Sequence, residues 1–418
     1  MRTARAADPG NVIDSTVAWR RLAASLAIAT LGGVGMWSVV VALPAVQADF
    51  GADRGAASLP YTLTMVGFGF GGILMGRLSD RHGIALPLAG ATLALAAGYL
   101  LAGLAPTLFT YALAQGALIG ALGSSATFGP LLADISHWFE RRRGLAVAIT
   151  ASGNYLAGTV WPPIVQQLIE SVGWRSTHMI IGVVCLVAML PLALVLRRRA
   201  PYVRRPDAHD VRPFSASAPQ SLGLSPGALQ TLLVVAGLAC CVAMSMPQVH
   251  IVAYCGDLGY GPAAGARMLS LMLGFGIVSR LLSGWIADHI GGLRTLLLGS
   301  ALQGVALVLY VPFDGLASLY LISALFGLFQ GGIVPSYAII VREYFAPHEA
   351  GARVGWVVMA TLFGMALGGW LSGEVFDLTG SYRAAFVNGI AWNGLNLTIV
   401  AWLLMRARAA RAVSAARA

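Results

Sequence analysis

Twelve apolar runs, most about 20 residues or longer and nearly free of charge, dominate this sequence. At 1.5 Å per residue, a helix of about 20 residues crosses a hydrocarbon layer of about 30 Å. Strands of a membrane barrel would instead alternate apolar and polar residues over about 10 positions. The sequence therefore predicts an all-α integral membrane protein with twelve transmembrane helices. The runs fall at 22–47, 57–76, 84–104, 109–136, 144–168, 177–196, 228–255, 264–287, 293–311, 316–340, 354–373 and 384–405.

Composition supports this class and excludes others. Of the 418 residues 57% are hydrophobic and 11% charged, whereas a soluble chain needs roughly a quarter charged. No Lys occurs, which indicates a GC-rich bacterial genome and leaves no Gly-Lys-Ser phosphate loop for direct ATP drive. The four Cys lie in or beside apolar runs without metal-ligand spacing. With no nucleophile–base pair or metal cluster either, we expect neither an enzyme nor a cofactor or metal site.

The arginines are distributed unevenly between the two sides of the predicted bundle, which accounts for the net charge of +10. By the positive-inside rule, both termini and the central loop should be cytoplasmic, in a multi-pass bacterial inner-membrane protein. This placement argues against nucleic-acid binding. The arginine-rich side carries Arg2, Arg5, Arg20, Arg21, Arg77, Arg81, Arg141–Arg143, Arg197–Arg199, Arg204, Arg205, Arg212, Arg294, Arg342, Arg353, Arg406, Arg408, Arg411 and Arg417; the other side carries Arg54, Arg175, Arg267 and Arg383.

The central polar segment, rich in Arg, Pro and Ser, cannot bury a core and is predicted to be a linker. The first apolar run has no small-residue cleavage site, so we expect a retained first helix. The predicted organisation is a cytoplasmic N-terminus at 1–21, a six-helix bundle at 22–196, a linker at 197–227, a second six-helix bundle at 228–406 and a cytoplasmic tail at 407–418.

Two stretches repeat across the halves. Gly76, Asp80 and Gly83 recur as Gly284, Asp288 and Gly291, each offset by 208 residues. Arg175 and Arg383, just before the last helix of each half, share that offset. The offset predicts duplicated halves.

The Gly-x-x-x-Asp-Arg-x-Gly stretch resembles the signature loop of the major facilitator superfamily. The departure is after the second Gly, where Ile84 follows in place of the basic residues common in that family. The resemblance implies a carrier whose halves rock around a central site, with Gly76, Asp80, Arg81, Gly83, Gly284, Asp288 and Gly291 forming a gating motif. Glycines permit tight turns and close helix approach, and Asp80 can lie at the positive end of a neighbouring helix. The alternative is a turn that only sets topology.

Residues 260–280 resemble helix 8 of the monocarboxylate transporters and of oxalate–formate exchangers, which implies that Arg280 holds a substrate carboxylate. Independently, a charge inside a span costs roughly 2.5–3.5 kcal/mol and is usually functional. The repeat partner of Arg280 is Gly72, so the duplicated fold does not require this charge. The planar guanidinium matches a carboxylate. The alternative is snorkelling, because Arg280 lies four residues, about 6 Å, before the predicted turn at Gly284.

Asp257 and His250 are the candidates for proton coupling. The resemblance implies that Asp257 is the proton partner of Arg280, because bacterial relatives carry an Asp near the outer end of helix 7. Animal relatives instead carry an Asp on helix 8, where this chain has Gly276. The animal family also has a functional Lys on helix 1, which this chain lacks. Alternatively, Asp257 only caps the next helix, as its repeat partner Asp49 would. His250 would suit a proton relay but could equally serve helix packing.

Polar residues on spans that surround the substrate in this family are further candidates for binding. Each could instead make an interhelical hydrogen bond. The candidates are Asn154, Tyr155, Gln330, Ser336 and Tyr337.

Together these features predict secondary transport of a small monocarboxylate or related organic anion, coupled to protons, by a carrier that functions as a monomer in the bilayer. An organic-anion exchanger needs no titrating partner and is one alternative. An efflux carrier for drugs or metabolites is another, although an interior Arg suits it poorly. A non-transporting sensor on the same fold would be expected to carry a soluble domain.

Overall fold

The computed structural model of the protein describes residues 12–198 and 222–417, and the described chain is almost entirely helical. We number the helices as spans in chain order. They are span 1 Thr16–Phe50, span 2 Arg54–His82, span 3 Ala85–Gly103, span 4 Leu108–Ile135, spans 5 and 6 within Arg143–Val195, span 7 Pro226–Asp257, span 8 Pro262–Ile290, span 9 Gly292–Leu309, span 10 Leu316–Tyr344, span 11 Pro347–Thr379 and span 12 Tyr382–Arg417.

Spans 5 and 6 run on without a loop but are two membrane crossings. The 53 residues of Arg143–Val195 would measure about 80 Å as one helix, far more than a bilayer core. Gly173 divides them, with φ 79° and ψ 160°, a conformation that is essentially restricted to glycine. The predicted twelve-helix fold is therefore confirmed.

Several spans are interrupted near their middle. Span 1 consists of Thr16–Gly32 and Val34–Phe50, and span 10 of Leu316–Gln330 and Ile333–Tyr344. Span 4 passes from Leu108–Leu113 through a π-helix at Ala114–Gly123 and a 3₁₀ turn at Ser124–Thr127 to Gly129–Ile135. Such interruptions free backbone groups that only protein neighbours can satisfy inside a membrane. They mark the interior of the bundle as the place to look for a site.

The outer surface of the bundle is apolar. Large side chains such as Phe109, Val187, Leu321 and Leu86 are more than half exposed. Contiguous apolar surface of this kind is typical of lipid contact. The chain is thus built as a multi-pass membrane protein.

The backbone repeats the sequence duplication. Gly83 and Gly291 have φ of 79° and 82° and ψ of 166° and 164°, and both end a helix. Gly51 and Gly259, also 208 residues apart, both have positive φ, at 59° and 81°. We call the face where span 1 begins and span 12 ends the terminal face, and the other the opposite face.

The two halves pack along paired spans. Thr62 of span 2 donates a hydrogen bond to the carbonyl of Ala366 on span 11, at 3.0 Å. Ser270 of span 8 donates to the carbonyl of Thr159 on span 5. Spans 1 and 7 also pack together. These pairs form the seam between the halves.

The predicted linker at 197–227 lies mostly outside the described residues, as does most of the predicted N-terminal segment 1–21. Within the described part, Ser225 caps span 7 by accepting a hydrogen bond from the N–H of Ala228, at 3.2 Å. The division of the chain into these segments stays a prediction.

Candidate functional site

Arg280 lies on span 8, at the seam with span 5. Its Nη1 donates to the carbonyl of Ala151 at 3.2 Å, and its Cζ lies 4.6 Å from the ring centre of Tyr155. Span 8 continues to Ile290, so the turn predicted at Gly284 is wrong. Arg280 is ten residues, about 15 Å, from the helix end. The guanidinium therefore contacts the other half instead of extending toward the surface.

One edge of this guanidinium has N–H groups that are free to donate to a ligand. Nε is buried without a hydrogen-bond partner among the described residues, and Nη2 makes no hydrogen bond there either. Nε and Nη2 together form the side-on edge that binds a carboxylate in a bidentate manner. Arg21 shows the same edge occupied, with Nε and Nη2 donating to Asp134 at 2.7 and 2.8 Å. Arg280 has the donors for a carboxylate but no carboxylate among the described side chains it contacts.

Span 5 supplies the wall that faces Arg280. Gly276 leaves room for the Tyr155 ring, because a Cβ at this position would overlap the ring. This is the position where animal relatives are expected to carry Asp, so in this chain an aromatic ring takes that space. Asn154 has a buried Oδ1 without a partner in the described part of the chain, and its carbonyl accepts from Trp37 Nε1 at 3.2 Å. Tyr155 thus lies beside Arg280, whereas the described contacts of Asn154 are with span 1, at Trp37 and Gly33. The binding role of both residues stays a prediction.

The predicted residues of span 10 are placed differently. Gln330 accepts from Gln248 at 2.6 Å, and Ser336 bonds back to the carbonyl of Gly332 at 2.8 Å. Tyr337 donates to Asn396 of span 12 at 2.9 Å, inside the second half. No described contact joins these side chains to Arg280. Next to Gln330, Gly331 packs against the span 8 backbone at Gly276.

The two proton-coupling candidates lie together near the opposite face. Both oxygens of Asp257, the last residue of span 7, accept from Nη2 of Arg54 at 3.1 Å. His250 Nε2 lies 2.8 Å from the carbonyl of Gly369, and Nδ1 lies 3.3 Å from the hydroxyl of Tyr382. Arg280 is 18 residues, about 27 Å, along span 8 from this face. Asp257 is therefore paired with Arg54 in this conformation and not with Arg280.

The alternative that Asp257 caps the next helix is wrong. Span 8 has Gly261 as its N-cap residue, without a side-chain cap. The repeat partner Asp49 is also no cap, because it accepts from Arg175 at 2.8 Å. Both aspartates are used in ion pairs with an arginine.

The gating motif is mostly helical. Span 2 runs through His82, so only Gly83 makes the turn predicted for the motif. Side chains added at Gly76 or Gly284 would meet no atom within 4 Å, so close helix approach does not explain these two glycines here. Asp80 and Asp288 are exposed and make no hydrogen bond or ion pair in the described part of the chain.

A cavity of about 660 Å³ adjoins this motif on the terminal face. Asp80, Arg81 and Gly83 line it together with Arg21 and Asp134. The Arg21–Asp134 pair is buried, and Arg21 also donates to the carbonyl of Leu196 at 3.2 Å. These contacts join spans 1, 4 and 6, which stiffens the first half around the motif.

Sequence reasoning missed Arg54. It was assigned to a loop as a topology signal, but it begins span 2 and is 7% exposed. Its repeat partner is Pro262, so it is a charge present in one half only, as Arg280 is. A search for charged residues whose repeat partner is uncharged would have found Arg54 as well as Arg280.

Comparison with known proteins agrees with this architecture. The Major Facilitator Superfamily profile matches residues 25–320 and 294–418. The chain belongs to the major facilitator superfamily.

Relatives narrow the resemblance within the superfamily. Monocarboxylate transporter 13 of Rattus norvegicus is 31% identical over 79% of this chain and 75% of its own length. Monocarboxylate transporter 13 of Bos taurus is 33% identical over 70% of this chain and 67% of its own length. An inward-facing, unoccupied crystal structure of a bacterial homolog of the human lysosomal transporter Spinster superimposes with a TM-score of 0.72, covering 94% of this chain and 98% of that one, at 13% identity. This protein is thus a transporter that resembles the monocarboxylate branch, and not an enzyme.

Proposed function

We propose that this protein is a secondary active transporter of a small monocarboxylate or related organic anion, coupled to protons. The observation that carries the proposal is the free Nε–Nη2 edge of Arg280 at the seam between the halves. A guanidinium bound through Nη1 to Ala151 is held in place, so little freedom is lost when a carboxylate binds. The mammalian relatives are named as monocarboxylate transporters, which points to the same substrate class.

The free edge of Arg280 lies between the two halves, where alternating access would expose it. The hydrogen bonds between the halves occur at the opposite face and along the seam as far as Arg280 and Ala151, among the described residues. Rocking about this seam would open the Arg280 edge to one side at a time. We propose that the terminal face is cytoplasmic, in a bacterial inner membrane, and that one chain is the working unit.

An organic-anion exchanger is the second candidate, because Asp257 does not contact Arg280. Exchange needs a carboxylate site but no coupled proton. This alternative differs from proton symport in a measurable way.

Uptake of labelled carboxylates into proteoliposomes tests the proposal. The purified chain is reconstituted and offered a panel of monocarboxylates and dicarboxylates, with and without a pH gradient. Symport predicts uptake into empty liposomes that the gradient increases. Exchange predicts uptake only into liposomes preloaded with anion, unaffected by the gradient. Absence of saturable uptake of every carboxylate, with uptake of a neutral or cationic solute instead, would refute the proposed substrate class.

The same liposomes provide the control for the site. Arg280→Gln should abolish carboxylate uptake, whereas Arg267→Gln should not. Arg267 is exposed on the same span, 13 residues earlier, and is distant from Tyr155. Equal loss in both variants would indicate a general effect of removing charge from span 8.

A further inference from the structure

Arg54 is the cation at which the two halves meet on the opposite face. Its Nη2 donates to both carboxylate oxygens of Asp257, at 3.1 Å each. The side chain of Arg54 is 8% exposed and that of Asp257 is 39% exposed. The pair is therefore shielded on the arginine side and open to water on the aspartate side, so a proton can reach the carboxylate.

A second contact holds the same helix end. Asp377 of span 11 accepts from the backbone N–H groups of Arg54 and Gly55, at 3.0 and 2.6 Å. The first N–H groups of a helix have no partner within the helix, and its positive dipole end favours a carboxylate. The second half thus supplies the cap for span 2. Both this cap and the ion pair join opposite halves, so both must be lost when the opposite face opens.

Asp257 is the counter-charge on which the buried guanidinium depends. Nε and Nη1 of Arg54 are buried without a partner among the described residues. Two aromatic rings flank the guanidinium, with the ring centres of Phe376 and Tyr382 at 5.0 and 5.7 Å from Cζ. A buried cation without a charged partner is strongly unfavourable. In the closed face Asp257 supplies the carboxylate that pairs with this guanidinium.

We propose that Arg54 expels the coupled proton from Asp257 when the opposite face closes. This inference rests on the proposed function, because it supplies the partner of its proton-binding residue. While the face is open, Asp257 is separated from Arg54 and can hold a proton. Closure brings the guanidinium against the carboxyl group and its O–H bond breaks. The proton passes to an acceptor on the inner side of the pair, and the carboxylate remains paired with Arg54, which stays protonated throughout.

His250 is a titratable group further toward the interior, beyond Tyr254 and Cys255 on the same span. It lies seven residues before Asp257 on span 7, about 10 Å deeper, and contacts the hydroxyl of Tyr382, whose ring faces Arg54. Of the carboxylates around the pair, only Asp257 is hydrogen-bonded to the Arg54 side chain in the described part of the chain. The other titratable or charged groups near it are Asp53, Tyr254, Tyr260, Glu374, Asp377, Tyr382 and Arg383.

Closure and proton release are reciprocal, so acidification should open the same face. The test attaches spin labels at Leu104→Cys and Phe313→Cys, both more than 45% exposed and on opposite-face ends of different halves. Their distance is measured by electron–electron resonance without substrate between pH 8 and pH 5. For one proton, the ratio of open to closed molecules rises by at most about tenfold per pH unit. Arg54→Gln and Asp257→Asn should each reduce the change to less than about twofold over the whole range.

Two control variants keep the result decisive. Arg54→Lys keeps the charge and should keep the pH response, which shows that loss in Arg54→Gln is not misfolding. Arg175→Gln removes an ion pair on the same face but within the first half, and should leave the response unchanged. A wild-type response that persists in Arg54→Gln, or a wild-type distance that is independent of pH, would overturn the inference.

Failure of the Arg54–Asp257 inference can be distinguished from failure of the proposed function. Arg280→Gln should lose carboxylate transport yet keep the pH response of the opposite face, because Arg280 lies about 27 Å from that face along span 8. A normal response in a protein that transports no carboxylate would refute the substrate class and leave the Arg54–Asp257 pair as the proton device. Transport driven by a pH gradient without any response would refute the pair alone.

Discussion

Replacing Arg280 by Gln should weaken binding of the transported anion far more than it weakens the fold. The free edge offers two N–H groups, from Nε and Nη2, to a carboxylate. Hydrogen bonds to charged groups contribute about 1.5–3 kcal/mol each, so the pair contributes roughly 3–6 kcal/mol. Gln keeps one neutral donor, worth about 1 kcal/mol. The expected loss is about 2–5 kcal/mol, which corresponds to a roughly 30- to 5,000-fold weaker affinity.

The cost to stability should be smaller. Arg280 makes one described hydrogen bond, to Ala151, and one stacking contact with Tyr155. Loss of the hydrogen bond costs about 1 kcal/mol, and of the cation–π contact about 0.5–2 kcal/mol. Removing a charge from the interior of a span offsets part of this cost. The variant should therefore still elute as a monodisperse, folded protein.

Equilibrium binding of a labelled carboxylate to purified protein is the direct assay. Arg280→Lys should also bind weakly, because a point charge does not replace the planar fork. Arg267→Gln is the matched control on the same span. An affinity of Arg280→Gln within threefold of the wild type, in a folded sample, would refute the anchor role of Arg280.

The remaining predictions concern the gate, the proton and the turn. Asp80→Asn should leave carboxylate affinity within about threefold but slow turnover, because Asp80 makes no ion pair with any described residue in this conformation and would act when the terminal face closes. Labelling of engineered Cys on each face checks this, and unchanged labelling with normal turnover would mean that the motif only sets topology. Asp257→Asn should lower pH-driven net uptake and spare exchange of labelled for unlabelled anion, whereas Asp49→Asn should affect neither, and equal behaviour of the two would exclude the proton role. Gly83→Ala should destabilise the protein by about 1–3 kcal/mol, because φ of 79° with ψ of 166° is a conformation for glycine alone, while Gly76→Ala in the adjacent helix should be tolerated. Thermal unfolding of both glycine variants compares them, and equal melting temperatures would contradict the argument.

The fold was accessible from the sequence because membrane crossing imposes a length on every apolar run. The boundaries were less accessible. Hydropathy marks the part of a helix inside the hydrocarbon layer, whereas span 2 continues as a helix from Gly76 to His82 beyond its apolar run. A polar motif was therefore read as a loop.

The site was accessible only in part, for a different reason. Arg280 is conspicuous because it is a charge inside an apolar run, and Tyr155 and Asn154 follow from the span that faces it. Arg54 and Asp257 are at helix ends, where charge is ordinary, and their pairing depends on how the two halves dock. Tyr337 shows the converse, since a polar residue on an inner span can be used entirely within its own half. Contacts between segments that are distant in the sequence produce no local sequence pattern, so they could not be predicted from the sequence.

The single occurrence of each key arginine bears on how such a carrier could arise. If the two halves arose by duplication of a six-helix unit, the single unit would have assembled as a dimer of identical copies. In such a dimer every residue would occur at both seams. A pair of first halves would have Arg54 twice and Gly72 in place of the anion anchor, while a pair of second halves would have Arg280 twice and Pro262 in place of the closing cation. Neither homodimer would have the anion anchor on one half and the closing cation on the other. Two different halves with separate roles in anion binding and in closure require two copies that are fused and free to diverge.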